Sequence, residues 1–77
     1  MPRYTIILGC TTDARARARQ YVWAKNLDAA KGAAIQRLQV MREVAHDGLR
    51  WNRWTVEITA APRFEPITLA SGGIDGE

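Results

Sequence analysis

The 77-residue chain has one cysteine, one histidine and one phenylalanine. A lone Cys10 excludes an intrachain disulfide and any metal site built from cysteines. A lone His46 removes the histidine pairs that bind metals at helical spacing. Its neighbour Asp47 suggests acid–base chemistry, but no nucleophile, oxyanion donor or metal ligand set accompanies the pair. A histidine near a helix C-terminus, favoured by the dipole, is the simpler reading. No apolar run approaches the length of a membrane span. Glycines are scattered, and Gly72-Gly73 lacks the strand and lysine of a phosphate-binding loop. The sequence therefore points away from an enzyme and requires no cofactor or metal.

Basic charge is present, and it is mostly arginine. Nine arginines and two lysines face eight acids, for a formal net charge of +3 and a pI near 9.6. Arginine offers a planar fork of donors and stacks on rings, which suits phosphates, carboxylates and protein interfaces. Twelve alanines accompany the arginines, a pairing that a GC-rich genome also produces. Hydrophobic content of 47% fits a folded body. The N-terminus shows no apolar core followed by a small-residue cleavage site. With a single thiol, that gives the expectation of a reducing, cytoplasmic setting.

Residues 3–10 are β-branched and aromatic and read as a strand, with Tyr4, Ile6, Leu8 and Cys10 on one face and Thr5, Ile7 and Gly9 on the other. Thr11, Thr12 and Asp13 begin a turn. A second strand over roughly 16–25 pairs antiparallel with the first. Asn26 is the expected N-cap of a helix through Ala45, with Asp28 complementing its dipole. Leu27, Ala30, Ala34, Leu38, Met41 and Ala45 form its apolar stripe. Val40 and Val44 widen that arc enough to meet a loop or another subunit. Gly48 is placed to end the helix in a left-handed conformation. A third strand spans Trp51 to Ala60, with Trp54 in the core, and Pro62 stops it. Ile67 to Ala70 is a candidate edge strand.

The expected fold is α+β: a mainly antiparallel sheet of three or four strands, in the order β-β-α-β, with one helix on one face. The first strand, apolar on both sides, sits centrally. The third pairs with its free edge, and parallel pairing there would follow the right-handed crossover rule. Residues 1–70 form one domain, and residues 71–77 form a flexible tail.

The segment Arg15-Ala16-Arg17-Ala18-Arg19-Gln20-Tyr21-Val22-Trp23 alternates large cations or rings with small residues. An extended strand sends alternate side chains to opposite faces. One face then carries Arg15, Arg17, Arg19, Tyr21 and Trp23, with Lys25 beyond them. Arg53 and Thr55 of the third strand join it, and Trp51 at that strand's start is a contact candidate, with capping of the end of the helix–sheet core as its alternative. Exposed rings stack on unpaired bases, and guanidinium groups hold phosphates. In the competing arrangement Tyr21 and Trp23 cover Ile7, with arginines snorkelling over them. A one-residue slip would bury both rings in the core.

Two stretches carry a family likeness: the opening strand Tyr4-Thr5-Ile6-Ile7-Leu8, and the strand-to-helix passage Val22-Trp23-Ala24-Lys25-Asn26-Leu27-Asp28-Ala29-Ala30-Lys31. Over residues 4–60, in topology and polarity, the chain resembles small basic phage-encoded anti-CRISPR inhibitors that bind type I surveillance complexes. The resemblance implies a non-enzymatic inhibitor that binds a host protein or ribonucleoprotein through Arg15, Arg17, Arg19, Tyr21, Trp23, Trp51 and Arg53. A small nucleic-acid-binding module and a homo-oligomeric structural or assembly protein remain alternatives. The chain is then a monomer or homodimer with no membrane partner.

Overall fold

A computed structural model describes residues 1–46, 48–59 and 65–73. The alternation that marks the first strand produces β1, Arg3–Cys10, whose even-numbered residues Tyr4, Ile6, Leu8 and Cys10 are buried. Asp13 makes the turn that follows. Its side chain accepts the Arg15 N–H at 2.9 Å, and its carbonyl accepts the Ala16 N–H at 3.1 Å. Such local bonds are why Asp nucleates turns. The turn takes up Arg15, so β2 runs from Arg17 to Trp23. Strand β3 is Trp51–Ile58 and β4 is Ile67–Gly73.

Helix α1, Leu27–Val44, begins where expected. Asn26 is extended, and its Oδ1 accepts the Ala29 N–H at 2.9 Å. Ala30, Ala34 and Leu38 are buried, with Leu27, Met41 and Ala45 packed at the margin of the core. The alanines let the helix lie close to the sheet, mainly over β3 and β1 and least over β2. Ile6, Leu8, Leu38 and Val56 are sealed between the layers. Each such side chain contributes roughly 1.5–3 kcal/mol relative to exposure.

The helix does not end at a glycine. It stops at Val44, Ala45 takes an extended conformation, and the Ala45 N–H caps the Met41 carbonyl at 2.9 Å. Gly48, at φ 74°, turns the chain toward β3 instead. His46 is exposed; its neighbour Asp47 lies outside the described residues.

The sheet order is β2-β1-β3-β4, with every neighbouring pair antiparallel. This confirms the α+β architecture and the central place of β1, and it corrects the pairing direction of β1 and β3. Strand β2 returns the chain to the start of β1, and α1 carries it back across, so β3 runs along β2. The parallel crossover thus joins β2 to β3, with β1 inserted between them. Strand β4 continues through Gly73, so Ser71, Gly72 and Gly73 belong to the sheet rather than to a tail. Residues 74–77, like Ala60 and Pro62, lie outside the described residues.

Candidate functional site

The side of the sheet away from α1 is built row by row from the strand register. Across β2 and β1, Trp23 stands opposite Arg3, Tyr21 opposite Thr5, Arg19 opposite Ile7 and Arg17 opposite Gly9. Across β1 and β3, Glu57 opposes Thr5, Thr55 opposes Ile7 and Arg53 opposes Gly9. Thr68, Ser71 and Gly73 of β4 complete the rows beside Glu57, Thr55 and Arg53. Directly opposed residues share a face, so these side chains form one surface.

Its relief follows from side-chain size. Thr5, Ile7, Gly9 and Thr55 are short and form a floor. Arg17, Arg19, Tyr21 and Trp23 stand along the β2 side. Two depressions result. One, of about 330 Å³, is lined by residues that include Ile7, Gly9, Arg17, Arg53, Thr55 and Ser71. The other, of about 540 Å³, is lined by residues that include Arg3, Thr5, Arg19 and Tyr21. Glu57 borders both.

The expected strand register holds. Tyr21 is 55% exposed and Trp23 is 65% exposed. Neither ring is sealed beneath the helix. The direct cross-strand neighbours of Ile7 are Arg19 and Thr55, with Tyr21 and Trp23 opposite Thr5 and Arg3. Arg17 and Arg19 are exposed beside the rings. Arg17 also donates from Nε to the Ala14 carbonyl at 3.3 Å, which ties it to the hairpin turn. Arg53 is exposed on the same face from β3.

Two expected members are placed differently. Arg15 is exposed in the turn, outside β2, because Asp13 draws its backbone into a bend. Trp51 is a core residue, 7% exposed, and is not available for contact. Strict alternation from Arg53 would put Trp51 on the open face. The register shifts between Gly9 and Cys10, so Arg53 pairs with Gly9 and Trp51 with Cys10. Asn52 is the extra residue of this bulge, and its insertion swings Trp51 to the helix side. Lys25 also lies beyond the end of β2.

Arg3 and Glu57 belong to the face and were not among the expected contacts. The Arg3 guanidinium sits over the Tyr21 ring, 5.0 Å from its centroid. Both residues were legible by parity, Arg3 with Thr5 and Ile7, Glu57 with Arg53 and Thr55. Among the described residues, no three His, Cys, Asp or Glu side chains converge to hold a metal ion. No helix of the described residues is long and apolar enough to cross a membrane. Among the described residues, the face thus combines four guanidinium groups, two exposed rings and a single carboxylate over a shallow floor. No family model, curated protein or solved structure matches the chain.

Proposed function

We propose that the protein is a non-enzymatic binding module whose helix-free sheet face docks on an anionic surface of a host protein or ribonucleoprotein, and acts there as an inhibitor. The observation that supports this reading is the joint exposure of Arg17, Arg19, Tyr21 and Trp23 on one face, joined by Arg3 and Arg53. Guanidinium groups and large rings are the side chains that dominate interface hot spots. The strands hold them on a preformed surface, so little ordering entropy is lost on binding. A CRISPR surveillance complex, the target of the inhibitors that the chain resembles, offers both acidic protein and guide RNA to such a face. The action proposed is steric: a small body occupying a site that another macromolecule needs.

Binding to the purified surveillance complex, measured by surface plasmon resonance with and without target DNA, tests the reading. Binding that competes with target DNA and falls when Arg19 and Trp23 are both replaced by alanine is the expected result. Unchanged binding by that double variant rules out this face.

A second reading, direct binding of single-stranded nucleic acid, is favoured by the placing of both rings beside arginines on one strand. Base stacking contributes roughly 1–3 kcal/mol per ring in such systems. Its affinity falls steeply with salt, because neutralised phosphates release counterions. No retardation of oligonucleotides at low salt removes this reading.

A further inference from the structure

Among the described residues, strand β2 is an edge strand with no neighbour beyond it. Its seven residues pair with β1 without a bulge, and it contains no proline. The opposite edge, β4, is interrupted by a bulge at Leu69, facing the Val56–Glu57 step of β3, and ends in two glycines. Natural sheets blunt their free edges with prolines, bulges or charges. Only the charges protect β2, and their order along the strand turns that protection into a complement.

We propose that β2 pairs with β2 of a second copy of this chain, antiparallel, about a two-fold axis through Gln20. In that register Arg19 stands opposite Tyr21 of the partner and Arg17 opposite its Trp23. The symmetry repeats both pairs. Every cation from Arg17 to Trp23 then meets a ring on the same face, and guanidinium groups are attracted to ring faces. Neighbouring registers lack this match. An axis through Ala18 sets Arg17 against Arg19, and one through Arg19 sets that residue against its own copy. An axis through Tyr21 sets that ring against its own copy and leaves Arg17 without a ring of the partner strand. Repulsion therefore counts against the first two of these registers, and the fuller match of cations to rings favours Gln20 over the third. Arg3 reaches the Tyr21 ring from the β1 side, and the second copy arrives from the edge side.

The helix side points to the same axis. Val40 and Val44, 52% and 59% exposed, line a groove of about 380 Å³ with Met41, Arg37 and Gln20. Arg37 donates to the Gln20 side chain at the groove wall. A two-fold axis through Gln20 makes the grooves of the two copies adjoin, and the valines of both helices gain apolar cover. Ala18 and Val22 pair on that side. The product is a continuous eight-stranded sheet whose two open faces merge into one basic surface.

Sedimentation velocity of the full chain across micromolar concentrations, at physiological ionic strength, tests the pairing. Wild type should show a concentration-dependent dimer. Tyr21→Lys places lysine opposite Arg19 twice by symmetry, and should weaken the dimer by about tenfold or more. Adding Arg19→Glu converts both contacts to opposite charges, and should restore affinity to within about threefold of wild type. Circular dichroism checks that each variant folds. If Tyr21→Lys does not fold, Trp23→Lys with and without Arg17→Glu repeats the test one row along. A wild type that stays monomeric, a Tyr21→Lys dimer as tight as wild type, or no restoration in the double variant overturns the proposal. None of these measurements involves another macromolecule, so their outcome is separate from the fate of the proposed inhibitory role.

Discussion

Asn52 holds Thr11 twice across the end of the sheet. Its Oδ1 accepts the Thr11 N–H at 3.1 Å, and its Nδ2 donates to the Thr11 hydroxyl at 2.9 Å. Asn52 is buried and is the extra residue of the β3 bulge. The paired bonds therefore fix the bulge, and with it the inward position of Trp51. Asn52→Ala should lower stability by about 1–3 kcal/mol, two hydrogen bonds of ordinary net worth. A urea unfolding curve with an unchanged midpoint would separate the bulge from this contact.

The tryptophans should behave in opposite ways. Trp51→Ala empties a core position and should cost about 3–5 kcal/mol. Trp23→Ala removes an exposed ring and should cost less than about 1 kcal/mol. Thermal melts of the two variants at low protein concentration, where any association is minor, give the comparison.

Two glycines should respond with opposite sign to alanine. A Cβ on Gly72 would lie 2.6 Å from the Trp54 indole, which covers that position across β3 and β4. Gly72→Ala should destabilise by roughly 1–3 kcal/mol through overpacking. A Cβ on Gly32, on the exposed side of α1, meets nothing within 4 Å. Gly32→Ala should stabilise by about 0.5–1 kcal/mol through helix propensity and a less entropic unfolded chain. A denaturant midpoint that rises for Gly72→Ala would refute the account of Gly72, and one that falls for Gly32→Ala would refute that of Gly32.

Asn26→Ala should cost about 0.5–2 kcal/mol, because the Ala29 N–H loses its acceptor and water replaces it only partly. Asn26→Asp should keep most of the stability, since a carboxylate accepts the same bond and complements the helix dipole. Circular dichroism against temperature distinguishes the two.

If single-stranded nucleic acid occupies the open face, the arginines and the rings should separate by salt. Arg19→Ala should reduce the slope of log affinity against log salt by about one. Trp23→Ala should lower affinity by roughly 1–3 kcal/mol at every salt concentration, since stacking releases few ions. Fluorescence anisotropy with a labelled oligonucleotide reads both effects.

Much of the fold was legible because its signals are local. The two-residue alternation of β1 and β2 assigned Tyr4, Ile6 and Leu8 inward and Arg17, Arg19, Tyr21 and Trp23 outward. The Asn26 cap and the stripe from Leu27 to Ala45 located the helix to within a turn. These features depend on backbone geometry repeated every two or every 3.6 residues, so neighbours in sequence suffice to read them. The manner in which the helix ends was not legible, because an extended Ala45 terminates it rather than a left-handed Gly48.

The chain itself determined which face of each strand is apolar and that cations and rings alternate along β2. Tertiary structure alone decided the side on which Trp51 lies, since that rests on an Asn52–Thr11 contact between residues 41 apart in sequence. It decided that β3 runs antiparallel to β1, which depends on where α1 delivers the chain. It also brought Arg3 over Tyr21 and left β2 as an edge. Each of these depends on pairing between distant segments, where a single inserted residue or a reversed strand changes the neighbour without altering the local pattern.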